Sequence, residues 1–245
     1  MWLPRWLGEV YSKLYLEFGL EPFKFDDAKD LLRSDKSWLN VAFSKLHSTR
    51  ALYIHARLRP RLYRVIRPES FVLISAGVMK NLSKIKQERY LQLISDITKL
   101  LIERYEKLSV CLYGSVARGT ARPDSDLDLL VVSDGFEGSI SSRLDRLSDL
   151  EVMVSDEIDR LKRLGIETGI SFYPLRREEV LRTPPILLDL TVDGIMLCDE
   201  DQFLESILSR LKIRLNELGA RRISAEDTLY WDLKPDYRFG EVIEL

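Results

Sequence analysis

Cysteine and histidine are nearly missing: two of each in 245 residues. Cys111 and Cys198 stand far apart, each in an apolar, strand-like run (SVCLYG and GIMLCD). Both read as buried free thiols, and no Cys/His zinc spacing exists. Asparagine and glutamine are as scarce, three of each, against 31% charged residues. That balance resembles thermophile composition, and in such a source an intracellular bridge between the two thiols stays open. No uninterrupted apolar run reaches membrane-spanning length. The opening MWLPRWLGEVYSKLYLEF carries Glu9, Lys13 and Glu17 inside its apolar pattern, which reads as an amphipathic helix, so no signal peptide is expected there. The expectation is a cytoplasmic globular protein. Excess charge is lacking too: the net value of −2 excludes a global affinity for nucleic acid or membrane.

Charge is nonetheless divided along the chain. Residues 1–75 carry 13 Lys+Arg against 8 Asp+Glu, and the acidic excess lies behind them. This predicts two modules with different partners. The first reads as three helices and a hairpin. They are WLGEVYSKLYLEF, then FDDAKDLL with Asp26 or Asp27 as its cap, then SDKSWLNVAFSKLHSTRA with Trp38, Val41, Ala42 and Leu46 on one face. In LYIHARLRPRLYRVIRP the period changes to two, with Leu52, Ile54, Ala56 and Leu58 alternating with Tyr53, His55, Arg57 and Arg59. Three short helices and a hairpin are the layout of a winged helix-turn-helix. From Lys45 to Arg67 there are seven Lys+Arg and no carboxylate. Arg50, Arg57, Arg59, Arg61 and Arg64 are therefore expected to contact DNA phosphates, with a solvated basic hairpin as the alternative. A long helix follows, QERYLQLISDITKLLIERYEKL.

The second module alternates strands and helices. The strand SVCLYG runs into Gly114-Ser115, a short helix SVARG, a loop TARPDS and the strand LDLLVV. A helix starting at once after a strand aims its free amides back along the strand axis, where an anion can sit. Asp126 and Asp128, two apart, leave one face of the next strand, while Leu127 and Leu129 turn the other way into the core. Two close carboxylates repel, and a divalent cation removes that penalty while sharing its shell with phosphates. Anion seat and acid pair together are equipment for metal-assisted phosphoryl or nucleotidyl transfer. Beyond them, SSRLDRLSDLEVMVSDEIDRLKRLG reads as one helix, GISFYPL as a strand, RREEVLR as a helical turn, PPILLDLTVDG as a helix and IMLCD as a strand. DQFLESILSRLKIRLNELG is a closing helix ended by Gly219. The tail WDLKPDYRFGEVIEL has no clear period and is expected to cover the sheet edge.

GSVARGTARPDSDLDLLVV resembles the signature of the DNA polymerase beta-type nucleotidyltransferase superfamily, in particular its minimal prokaryotic members. The resemblance covers roughly residues 88–200. It implies an α/β (α+β) fold, a mixed sheet flanked by helices, here preceded by the small winged-helix-like domain. It divides the chain into residues 1–75, a linker 76–87, the nucleotidyltransferase domain 88–200, and a C-terminal helix and tail 201–245 packing on it. The implied activity moves a nucleoside monophosphate from an NTP to an acceptor, nucleic acid or protein. Asp126 and Asp128 would bind Mg²⁺ in a two-metal site. Gly114 and Ser115 would hold the β- and γ-phosphates, Ser125 would orient the first aspartate, and Arg118 would neutralise phosphate unless it is simply an exposed helix arginine. The sequence departs from the pattern at one place: the third carboxylate, counted back from RREEV, is Ser171, and Glu167 is the nearest preceding acid. The second metal is in doubt for that reason. A DNA-binding regulator or antitoxin-like protein that binds nucleotide or a partner with little catalysis is the alternative reading.

Overall fold

A computed structural model describes residues 2–225, 228–238, 241–243 and 245. The N-terminal part runs α1 (Arg5–Phe18), β1 (Phe23–Lys24), α2 (Phe25–Leu32), α3 (Lys36–Ser48), β2 (Leu52–Ala56) and β3 (Leu62–Val65). The three strands form an antiparallel sheet in the order β1-β3-β2, and the two-residue β1 carries no sequence signal of its own. Asp35 caps α3, accepting from Trp38 N at 2.8 Å. In α2 the expected caps, Asp26 and Asp27, lie inside the first turn, where Asp27 reaches back to Lys24 N at 2.8 Å.

Two expected faces are corrected. The buried stripe of α3 is Leu39, Ala42, Phe43 and Leu46, which leaves Trp38 and Val41 exposed. Both sides of β2 are covered, so Tyr53 and His55 are buried along with Leu52. Strict alternation of polar and apolar residues assumes one wet face, and here the segment Glu88–Tyr90 lies against the strand, with Glu88 Oε2 accepting Ile54 N at 2.7 Å.

After α4 (Pro68–Ser75), residues 76–87 bury Met79, Leu82 and Ile85. The helix α5 (Leu91–Arg104) is shorter than the predicted run and is buried on most of its circumference. Then come β4 (Ser109–Tyr113), α6 (Gly114–Arg118), β5 (Leu127–Val132), α7 (Ile140–Met153), α8 (Ser155–Arg163), β6 (Ile170–Leu175), α9 (Arg177–Val180), α10 (Ile186–Asp193), β7 (Ile195–Asp199) and α11 (Phe203–Glu217). The stretch expected as one helix is two, broken at Val154, and the break turns Glu157 inward.

The four strands form a mixed sheet in the order β6-β5-β4-β7, with β5 parallel to β6 and the other pairs antiparallel. Alternation along β5 sorts its residues between two cores. Leu127, Leu129 and Val131 join the large cluster with α5 and α7, while Leu130 and Val132 pack with Leu187, Leu190 and Leu211 of α10 and α11. Asp128 shares the second face. Cys111 and Cys198 are free and buried, and burial pushes both thiols up to about 12. The tail holds an unforeseen hairpin, β8 (Arg221–Ala225) with β9 (Thr228–Asp232). Trp231 packs on the second core and donates to Asp189 at 3.0 Å, while the expected tail contacts of residues 239–240 and 244 lie outside the described residues. Among the described residues, no helix is long and apolar enough to cross a membrane.

One hydrophobic cluster runs without interruption from Leu3 in the N-terminal part to Cys198 in β7. Arg64 of β3 is wholly buried at this junction. It donates to Leu20 O at 2.6 Å and to both carboxylate oxygens of Glu157 at 2.7 and 2.8 Å.

Candidate active site

Residue 114 is where β4 stops and α6 begins, with φ at +71°, a conformation that glycine adopts without strain. The approach there is close as well. A Cβ on Gly114 would run into the Asp128 carboxylate, lying 2.9 Å from its Cγ. Tyr113, Asp128 and Ser171 are paired side by side across β4, β5 and β6. Asp128 therefore sits in a row beside the Gly114-Ser115 turn, at the end of the face that α10 and α11 cover further along.

Asp126 lies one residue before β5 and is exposed, with Oδ1 accepting from Gly169 N at 3.0 Å. Asp128 is half-buried. Burial, then the Asp126 charge, pushes its carboxyl above the usual range, against weaker lowering by Arg118 and the Ser171 hydroxyl. The structure thus brings together Gly114, Ser115, Asp126, Asp128 and the base of Arg118. Arg118 also pairs with Asp193 of α10 at 3.6 Å, and Asp193 is held in turn by Arg222 at 2.6 Å. Ser125 serves the loop: its Oγ accepts from Arg122 N at 2.9 Å, closing the turn ahead of Asp126.

Ser171 lies directly opposite Asp128, in the position where its sequence alignment expects a carboxylate. Glu167 is exposed and precedes β6 by three residues. Among the described residues no group of three His, Cys, Asp or Glu is arranged to hold a metal. A different acid approaches from the side. Glu151 of α7 accepts from Ile170 N at 3.2 Å, and a Cβ on Gly169 would lie 3.3 Å from both Glu151 Oε1 and Asp126 Oδ1. Two carboxylates from separate elements thus clamp the adjacent amides of Gly169 and Ile170. The sequence hides Glu151 because it follows Leu150 on an ordinary amphipathic helix, and only the tertiary fold brings it to β6.

The five arginines expected at DNA divide. Arg57, Arg59 and Arg61 are exposed around the turn between β2 and β3. Arg64 is a correction: it is buried against Glu157 and cannot reach a phosphate. Arg50 is a correction as well, since it is mostly covered and committed to Glu88 at 3.0 Å and to Ser83 O at 3.0 Å. Both were placed outside by a charge pattern whose neutralising acids lie far away in the chain.

Comparison with known proteins reaches this same region. A nucleotidyltransferase domain family model matches residues 94–183. Two proteins of Methanocaldococcus jannaschii, named as candidate protein adenylyltransferases MJ1305 and MJ1379, are 30% and 32% identical to the chain. The first match spans 43% of this chain and 67% of the relative, the second 36% and 84%. A crystal structure of a toxin–antitoxin with AMP-PNP aligns over 51% of this chain and 90% of that one, at 19% identity and a TM-score of 0.33. The family-model match, which contains both Gly114-Ser115 and the acid pair, together with the two relatives, places the chain in the DNA polymerase beta-type nucleotidyltransferase superfamily: it is a nucleotidyltransferase.

Proposed function

We propose that the protein transfers AMP from ATP to a hydroxyl of a protein acceptor, with Mg²⁺ held between Asp126 and Asp128. The observation that carries this is the contact of Gly114 with the Asp128 carboxylate, which fuses the anion seat and the acid pair into one site. The donor set fits a hard divalent cation: two close carboxylates, one of them with its pKa raised by burial and by its neighbour's charge, a penalty that a bound cation would relieve. Asp126 has one oxygen committed to Gly169 N and one left over. A cation bound there supplies Lewis-acid charge to the triphosphate. Gly114 and Ser115 offer backbone amides and a hydroxyl to the β- and γ-phosphates, and Arg118 adds positive charge from the end of α6. Glu151 and Asp126 fix the mouth of β6, so the acid pair is presented in one geometry. The choice of AMP and of a protein acceptor is supported by the names of the two relatives.

The N-terminal part is proposed to be a winged helix. Its support is the order helix, strand, helix, helix, strand, strand and the β1-β3-β2 sheet. Arg57, Arg59 and Arg61 are its proposed DNA-facing residues.

Ser171 favours a second reading, a regulator that binds nucleotide with little turnover, because serine is a poor anionic ligand for an acceptor-side metal. Incubation with Mg²⁺ and each labelled NTP, with protein, DNA and RNA as acceptors, separates the two. Label appearing on protein from ATP, and lost in Asp126→Ala, is the expected result. Nucleotide binding with no pyrophosphate release, restored to turnover by Ser171→Asp, would replace it with the second reading.

A further inference from the structure

Between the β2–β3 hairpin and the catalytic half lies a cleft of about 380 Å³, within the size range of small-ligand sites. His55 and Arg57 form one wall, Lys86 and Arg89 a second, and Leu164 and Ile166 a third. None of the three cations is ion-paired among the described residues. The single carboxylate in the lining, Glu88, is spent on other groups: His47 Nε2 at 2.9 Å, Arg50 at 3.0 Å and Ile54 N at 2.7 Å.

Polar atoms in the walls are incompletely satisfied. His55 is 7% exposed, and neither its Nδ1 nor Arg89 Nε has a hydrogen-bond partner among the described residues. Burial, then the charges of Arg64 and Arg89, lowers the His55 pKa to about 4, so the ring is neutral at ordinary pH. Buried polar groups without partners are costly and rare in native proteins. Together with unneutralised cations around one cleft, they point to an absent anionic occupant.

We propose that this cleft binds a small phosphate-bearing molecule, its phosphate held by Arg57, Lys86 and Arg89 and its body resting on Leu164 and Ile166. Three cations suit a phosphate dianion with three acceptor oxygens better than a single carboxylate. The site is separate from the metal-dependent one but bonded to it. Gln87 exchanges two hydrogen bonds with Ala121, at 2.8 and 3.0 Å, and Arg89 donates to Ala121 O at 3.1 Å, in the loop that leads to Asp126. The proposal does not require that loop to be catalytic.

The chain has two histidines, so ¹⁵N-imidazole NMR of the full-length protein reads His55 directly, with His47→Asn giving the assignment. Inorganic phosphate and ribose 5-phosphate are titrated separately in divalent-free buffer, where the aspartate site does not hold nucleotide phosphates. A saturable shift of the His55 signals with either probe is expected. It should weaken by about tenfold or more in Arg57→Ala/Lys86→Ala, with the melting temperature unchanged. Arg57→Gln alone serves if the double variant misfolds. No saturable shift with either probe, a shift of equal affinity in the variants, or a response only to a long single-stranded oligonucleotide would each overturn the proposal.

Discussion

Gly114 and Asp128 share a space that admits no side-chain carbon on the first without displacing the carboxylate of the second. Gly114→Ala therefore meets two obstacles at once, the positive φ and the acid. Backbone strain of this kind costs about 1–3 kcal/mol. A melting temperature lowered by several degrees is expected, with nucleotidyl transfer reduced by about a hundredfold or more, since a small misplacement at a reacting centre carries that penalty. Wild-type turnover in the alanine variant would show that the close approach has no part in the reaction.

Asp128 is under electrostatic strain in the absence of a cation. Its carboxyl is raised above the ordinary value, so the folded state keeps its proton to higher pH than the unfolded state does. Stability then falls as pH rises through the window from the ordinary value up to the raised one, and stays lowered at neutral pH. Asp128→Asn removes the penalty. In divalent-free buffer at neutral pH the variant should melt above wild type. The difference should vanish at low pH, where both carry a neutral group, while transfer activity is abolished. Calorimetry across pH reads the first effect, and a variant that melts below wild type would contradict it.

The buried pair Arg64–Glu157 responds differently. Glu157→Gln leaves a guanidinium uncompensated in the interior, which costs about 3–5 kcal/mol. Arg64→Met combined with Glu157→Leu should recover much of that loss, because an apolar pair replaces the two innermost charges while Arg160, which also bonds Glu157 at 2.8 Å, keeps Glu21 at 2.8 Å. Denaturant titration of the three proteins measures it, and equal losses in the single and double variants would deny the coupling.

At the hairpin turn, Arg59→Ala/Arg61→Ala should weaken binding to duplex DNA uniformly across sequences. Each lost phosphate contact should lower the slope of log affinity against log salt by about 0.9. Neither residue lines the cleft beside His55, so phosphate titrations of that cleft should be untouched. An unchanged salt slope would remove the turn from any nucleic-acid interface.

The acid pair was legible because its logic is local. Gly114, Ser115, Asp126 and Asp128 fall within one strand–helix–loop–strand passage, and the period of two already separates Asp128 from Leu127 and Leu129. Ser171 was legible too, by counting along a strand. What escaped depends on distant partners. Arg64 looks like one more basic hairpin residue until Glu157, from the other half of the chain, meets it. Glu151 has no distinguishing neighbours. The break at Val154 interrupts an otherwise sound helical stripe, and the β8–β9 hairpin lies in a tail whose aromatic spacing follows neither period.

The uninterrupted cluster from Leu3 to Cys198 bears on how the molecule comes apart. Severing the chain near residue 80 would strip a greasy seam on both fragments and orphan the guanidinium sealed between them. Neither piece should stay soluble alone. Under the proposed reading, a target held at the hairpin would be presented to the aspartates at a span that this shared seam sets.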